Sequence, residues 1–202
     1  MPPEGGEPGP HPEPGANLPR RKPLVRSVAG PWFRIHTAGR PPLHFGRDRR
    51  HRFDAPAAEF GVLYVGADES AAFVETFARS PGPSLVTWAA LRARRLSRIE
   101  ARRPLRLIDL TGAGLARIGA DERLCAGDWA VAQRWSRALW GHPRKPDGIL
   151  YRSRHDPSRQ CAAIFDRARG VLRAQVLGSP ADPARRDVLV RLLDTYGFGL
   201  VE

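Results

Sequence analysis

The stretch from Gly61 to Phe77 constrains this chain most, because it reads as a short strand, a tight turn and a helix carrying one carboxylate. Val62, Leu63 and Val65 form a brief apolar run between Gly61 and Gly66, the pattern of a buried strand. Asp68 can accept a hydrogen bond from the free amides of the turn that follows, so a helix is expected to start there. On such a helix Phe73 and Phe77, four residues apart, share one face. Glu75 falls on roughly the opposite face, flanked by Ala71, Ala72 and Ala78. A carboxylate over a floor of small side chains leaves room for a ligand. The local alternative is a solvated Glu75 paired with Arg79 at i,i+4.

The remainder of the 202 residues is one domain with a tail. Residues 1–27 are rich in Pro, Gly and Glu and poor in apolar side chains, so they are expected to be a disordered tail, with the domain running over 28–202. Trp32–His36 reads as a strand after Pro31, with Arg34 on the face opposite Phe33 and Ile35. Two further strands, Leu85–Ala89 and Leu105–Leu110, are expected to pair with each other across an Arg-rich bend. Residues 113–127 read as a helical insertion over the core, and Asp128 caps a stronger helix that places Trp135 and Leu139 on one face. Strands at Ile149–Arg154 and Cys161–Phe165 follow, then a helix beginning at Pro183. Strands outnumber helices without regular alternation, which makes the class α+β.

Several function classes drop out. Cys125 and Cys161 have neither CxxC spacing nor a neighbouring His pattern, so reduced cysteines and no metal are expected. Neither a membrane-length apolar run nor a signal-peptide core is present, so a cytoplasmic protein without membrane association is expected. The net charge of +12 is almost wholly arginine, Lys22 and Lys145 being the only lysines. With Ala, Gly and Pro also abundant, this resembles a coding bias more than a phosphate-binding face. No nucleic-acid motif accompanies it, so a specific nucleic-acid partner is not expected. Generic nucleophile elbows, P-loops and dinucleotide fingerprints are absent.

Five blocks, in order, carry a resemblance: Trp32-Phe33-Arg34-Ile35, Arg52-Phe53-Asp54, Val62-Leu63-Tyr64-Val65, Ala71-Ala72-Phe73-Val74-Glu75, and Asp147 to Arg154 with Ser153 within it. Together they resemble the RES domain, a family named for its Arg, Glu and Ser, here Arg34, Glu75 and Ser153. The resemblance implies a fold similar to ADP-ribosyltransferases, with a mixed or antiparallel β core and flanking helices. It further implies an NAD phosphorylase or glycohydrolase that cleaves the nicotinamide–ribose bond and passes ADP-ribose to inorganic phosphate or water. NAD is then a substrate, phosphate a co-substrate, and no cofactor is implied. The implied biology is a toxin whose active site is blocked by an antitoxin protein; whether the chain forms a homo-oligomer stays open.

Glu75, Arg34 and Ser153 are the implied catalytic residues, and Arg34, Arg52, Tyr64 and Ser153 the NAD contacts. A fixed carboxylate suits an oxocarbenium-like transition state. Forked guanidinium donors suit a pyrophosphate. Tyr64 is expected to stack on the nicotinamide ring. Ser153 is expected to orient the ribose or Glu75 and not to attack. The chain departs from the family in carrying Asp54 where Asn is usual, which leaves the local charge of the pocket open. The Glu75-to-Ser153 interval is also long, which the 113–127 insertion explains. The alternatives are an ADP-ribosyltransferase that modifies a protein, and an Arg-rich nucleic-acid-binding module without catalysis.

Overall fold

The structure, a computed structural model, describes residues 12–78 and 84–202. The first half holds β1 (Val25–Val28), β2 (Trp32–Thr37), β3 (Val62–Gly66), α1 (Glu69–Phe77), β4 (Leu85–Thr87) and α2 (Trp88–Arg92). Next come β5 (Arg94–Ala101), β6 (Leu105–Asp109) and three helices, α3 (Ala113–Ile118), α4 (Arg123–Ala126) and α5 (Trp129–Trp140). The chain closes with β7 (Gly148–Arg152), β8 (Gln160–Phe165), β9 (Leu172–Gly178), α6 (Arg186–Tyr196) and β10 (Gly199–Val201). Eight strands form one mixed sheet in the order β1-β6-β7-β8-β3-β2-β5-β9, antiparallel except between β6 and β7. Strands β4 and β10 pair in parallel as a separate ribbon. The class is α+β.

Alternation along the central strands gives each sheet face its own core. On one face Val62, Ile108, Ile149, Ala163 and Phe165 pack under Ala132, Trp135 and Leu139 of α5. On the other, Trp32, Leu63, Ile99, Leu107, Leu150 and Ile164 pack together with Phe45 and Leu172. A third cluster joins Phe73 of α1 to Leu189, Leu192 and Leu193 of α6.

Two expectations need correction. Residues 12–27 are not a loose tail: Leu18 is 2% exposed in the α5-side core, and Val25–Val28 pairs with β6. The Trp135 indole donates to the Pro12 carbonyl at 2.8 Å, and Arg134 pairs with Glu13. One buried leucine and one strand pairing anchor the segment despite its polar composition; residues 1–11 lie outside the described residues. The strands at 85–110 also do not pair with each other. Leu85–Thr87 joins β10, Leu105–Asp109 sits between β1 and β7, and the Arg-rich bend between them is itself the long strand β5.

The opening stretch folds as its pattern predicts. Asp68 caps α1 by accepting from Ala71 N at 2.7 Å. A Cβ at Gly66 would lie 2.6 Å from the Ala71 Cβ and 2.7 Å from the Ala72 nitrogen, so only glycine lets β3 pass this close beneath α1. Gly66→Ala is therefore expected to push the helix outward and cost about 1–3 kcal/mol, seen as a lower thermal midpoint. An unchanged midpoint would mean that the helix does not rest on this contact.

Candidate active site

The cross-strand register lays a floor. Tyr151 pairs with Cys161, Cys161 with Gly66, and Gly66 with Phe33, so one residue from each of β7, β8, β3 and β2 falls in a single row. All four line a cavity of about 250 Å³. Its walls are Ala72, Glu75 and Thr76 from α1, at helical spacing. His51 and Arg52 come from the loop before β3, Tyr64 from β3, and Arg154 and His155 from beyond β7; Cys125 and Trp129 stand near the start of α5. Arg34 lines it as well.

The turn after β7 brings Ser153 to Glu75. Ser153 is 1% exposed, and its Oγ donates to Glu75 Oε1 at 2.6 Å. The same oxygen accepts from the backbone amides of His155 and Asp156, each at 3.2 Å. These two amide contacts fix the hydroxyl and its proton points at the carboxylate, so the geometry is that of an orienting group and not of an activated nucleophile. The alternative partner for Glu75, Arg79, lies outside the described residues.

The two arginines differ. Arg34 Nη1 donates to the Pro42 and His44 carbonyls, both at 2.9 Å, tying β2 to the following loop. Burial, assisted by Arg40, lowers its pKa to about 10. Arg52 is 8% exposed; Nη1 donates to the Gly127 carbonyl at 2.7 Å, while Nη2 is buried with no hydrogen-bond partner among the described residues. Burial first, then the neighbouring Arg154 charge, lowers the Arg52 pKa. A buried donor of this kind is costly to leave unpaired and suits an anionic ligand.

The RES domain pattern matches residues 31–187, a span that contains Arg34, Glu75 and Ser153. This chain belongs to the RES domain family. This RES domain is 36% identical over 104 residues, 51% of its own length and 80% of the relative's, to a protein named "Probable toxin y4kH" from Sinorhizobium fredii. Its fold is similar to a chain in the crystal structure of the M. tuberculosis MbcT–MbcA toxin–antitoxin complex, with a TM-score of 0.59 over 82% of this chain and 92% of that one. Identity there is 20%, so the likeness speaks for the fold alone.

Within this RES domain, Asp54, which left the local charge of the pocket open, does not line the cavity. It is fully buried behind Tyr64, accepting from the Tyr64 hydroxyl and from His51 N, both at 3.0 Å. The Tyr64 hydroxyl in turn accepts from Phe53 N at 2.9 Å. Tyr64 thus presents only its ring to the cavity, tilted against His51 with centroids 5.2 Å apart. The cysteines are poor nucleophiles: burial pushes the Cys125 thiol up to about 12 and the Cys161 thiol higher still. Nearby arginines elsewhere are spent on structure, with Arg103 forked onto Asp147, Arg159 on Asp68 and Arg185 on Glu69.

Burial raises the Asp54 pKa to about 6, against the pull of its Tyr64 and His51 hydrogen bonds. A carboxyl whose folded value is raised contributes stability fully present below its ordinary value near 3.8 and lost as pH climbs through about 6. The stability of the wild type relative to Asp54→Asn, which carries no ionisable group there, should fall by about 2–3 kcal/mol between pH 4 and pH 7. Denaturant midpoints across that range check it; a pH-independent difference would contradict it.

His51, Cys125, Trp129, Tyr151, Arg154 and His155 line the cavity although no spacing or motif singles them out. Tyr151 and Cys161 became visible only through strand register. His155 had a weak signal in its position two residues after Ser153.

Proposed function

We propose that this RES domain is a toxin of a toxin–antitoxin pair that degrades NAD, transferring ADP-ribose to inorganic phosphate or, failing that, to water. The observation that carries the reading is the 2.6 Å Ser153–Glu75 hydrogen bond at a cavity whose walls also hold Arg34, Arg52 and Tyr64. The bond between the ribose carbon and the nicotinamide nitrogen breaks, and its electron pair leaves with the ring, which becomes neutral. No strong general acid is then required. Positive charge develops at the ribose carbon, where a Glu75 carboxylate oriented by Ser153 stabilises it. Arg52, with one buried donor unpaired among the described residues, meets the pyrophosphate, and Arg34 supports the same ligand from β2. The Tyr64 ring, fixed through its hydroxyl, offers a flat wall to nicotinamide. An oxygen of phosphate or water then bonds to the ribose carbon, and water, when it is the acceptor, loses its proton to the solvent.

The names of the two similar proteins support the toxin part of the reading, and the second is a complex with an antitoxin. A protein antitoxin that closes this cavity, and a cytoplasmic site of action, belong to the same proposal. The test is to incubate purified protein with NAD, with and without phosphate, and to separate the products. Nicotinamide plus a phosphorylated ADP-ribose in phosphate, and plain ADP-ribose without it, is expected. Label retained on a polypeptide would make the acceptor a protein, and DNA or RNA retention at physiological salt without nicotinamide release would overturn the enzyme reading.

A further inference from the structure

Trp129 opens α5 with 44% of its surface exposed, whereas Trp32 and Trp135 are 1% exposed in the cores. It also lines the cavity. An exposed indole on a cavity wall is a surface for a flat, apolar-faced ligand group. Its neighbour in that wall is the buried cation: Arg52 Nη1 holds the Gly127 carbonyl, two residues before Trp129, and Nη2 has no hydrogen-bond partner among the described residues. The two are locked together. Gln133 of α5 donates to the Arg49 and His51 carbonyls at 3.0 Å, Ser136 of α5 donates to the Phe53 carbonyl at 2.6 Å, and Asp128 caps the helix through Ala130 N at 2.5 Å. Cation and indole are therefore presented as one preformed edge, with little ordering cost on binding.

We infer that Trp129 forms a purine-base subsite, stacking the base of the dinucleotide whose diphosphate is held by Arg52 and whose reacting ribose lies at Glu75. This rests on the NAD reading, which supplies the dinucleotide, its base and its reacting end. The cavity volume agrees: about 250 Å³ lies below the roughly 300–1,000 Å³ usual for small-molecule pockets, so a dinucleotide must extend over a rim. Of the aromatic side chains that line the cavity, Trp129 is the most exposed.

The test separates the subsite from the reaction. ADP, which carries the base and the diphosphate but no nicotinamide, and inorganic pyrophosphate, which carries no base, are titrated calorimetrically into wild type, Trp129→Ala and Trp129→Phe. Wild type should bind ADP; Trp129→Ala should weaken it about 5- to 100-fold, the usual loss for one base stack, and Trp129→Phe should recover most of that. Pyrophosphate should bind all three alike. Absence of ADP binding to wild type, or an equal loss of ADP and pyrophosphate in Trp129→Ala, overturns the subsite. If ADP behaves as expected while neither the wild type nor the variants release nicotinamide from NAD, the subsite stands and the reaction assignment falls.

Discussion

Glu75→Gln should lower the rate of nicotinamide release from NAD about 10²- to 10³-fold, the usual effect of removing one preorganised charge-stabilising group. The substitution keeps the shape of the side chain, and the amide oxygen can still accept from Ser153 Oγ, now 2.6 Å from Oε1. What it removes is the negative charge beside the ribose carbon. The loss should therefore fall on kcat, with KM for NAD little changed, because the charge matters only as the transition state forms. The thermal midpoint should move by no more than a few degrees, since Glu75 is a half-buried helix residue outside the three cores. A rate within about threefold of wild type would remove Glu75 from the chemistry.

Arg52→Met should raise KM for NAD about 10- to 100-fold, the loss of one or two charge-assisted hydrogen bonds. The same change should leave the unliganded protein as stable as before, or more so by a few degrees. The reason is the state of the guanidinium without ligand: it is 8% exposed, donates to Gly127, has no partner for Nη2 among the described residues and feels the repulsion of the Arg154 charge. Burying such a charge costs more than a methionine of similar length would. Opposite signs in stability and binding mark a residue kept for its ligand. A fall in midpoint with an unchanged KM would instead make Arg52 a strut between its loop and Gly127. Steady-state kinetics and a thermal melt on the same preparation decide.

How much of this could be read from residues alone depends on the element. The β3–turn–α1 unit was legible because its signals are local: glycines at both ends of an apolar run, and an aspartate that caps. Helix α5 was legible for the same reason, through Asp128 and the Trp135–Leu139 face. Strand β5 was not. Its arginines hide the buried Leu96, Ser97 and Ile99, and a bulge between Leu96 and Ser97 breaks the period of two that marks a strand. Pairing was illegible as well, because a side-chain pattern gives the faces of a strand and not its neighbours; β4 with β10 and β6 with β7 join segments far apart in the chain.

The site divides in the same way. Spacing alone left Glu75 a surface residue beside Arg79, and the ordered family blocks brought it together with Ser153, 78 residues away. The fold adds what neither could supply. The row Tyr151–Cys161–Gly66–Phe33 makes the floor, and the clamp of α5 on the 49–54 loop sets Trp129 beside Arg52. Asp54 shows the limit of reading charge from sequence, since its carboxylate belongs to the scaffold behind Tyr64 and not to the cavity surface.

The most direct test is a proton NMR time course of NAD with purified wild-type protein and, in parallel, Glu75→Gln. Free nicotinamide resonances should grow with wild-type protein while those of the intact pyridinium ring decline, and the variant should leave NAD intact over the same hours. NAD that persists equally in both samples, with phosphate present, would contradict it.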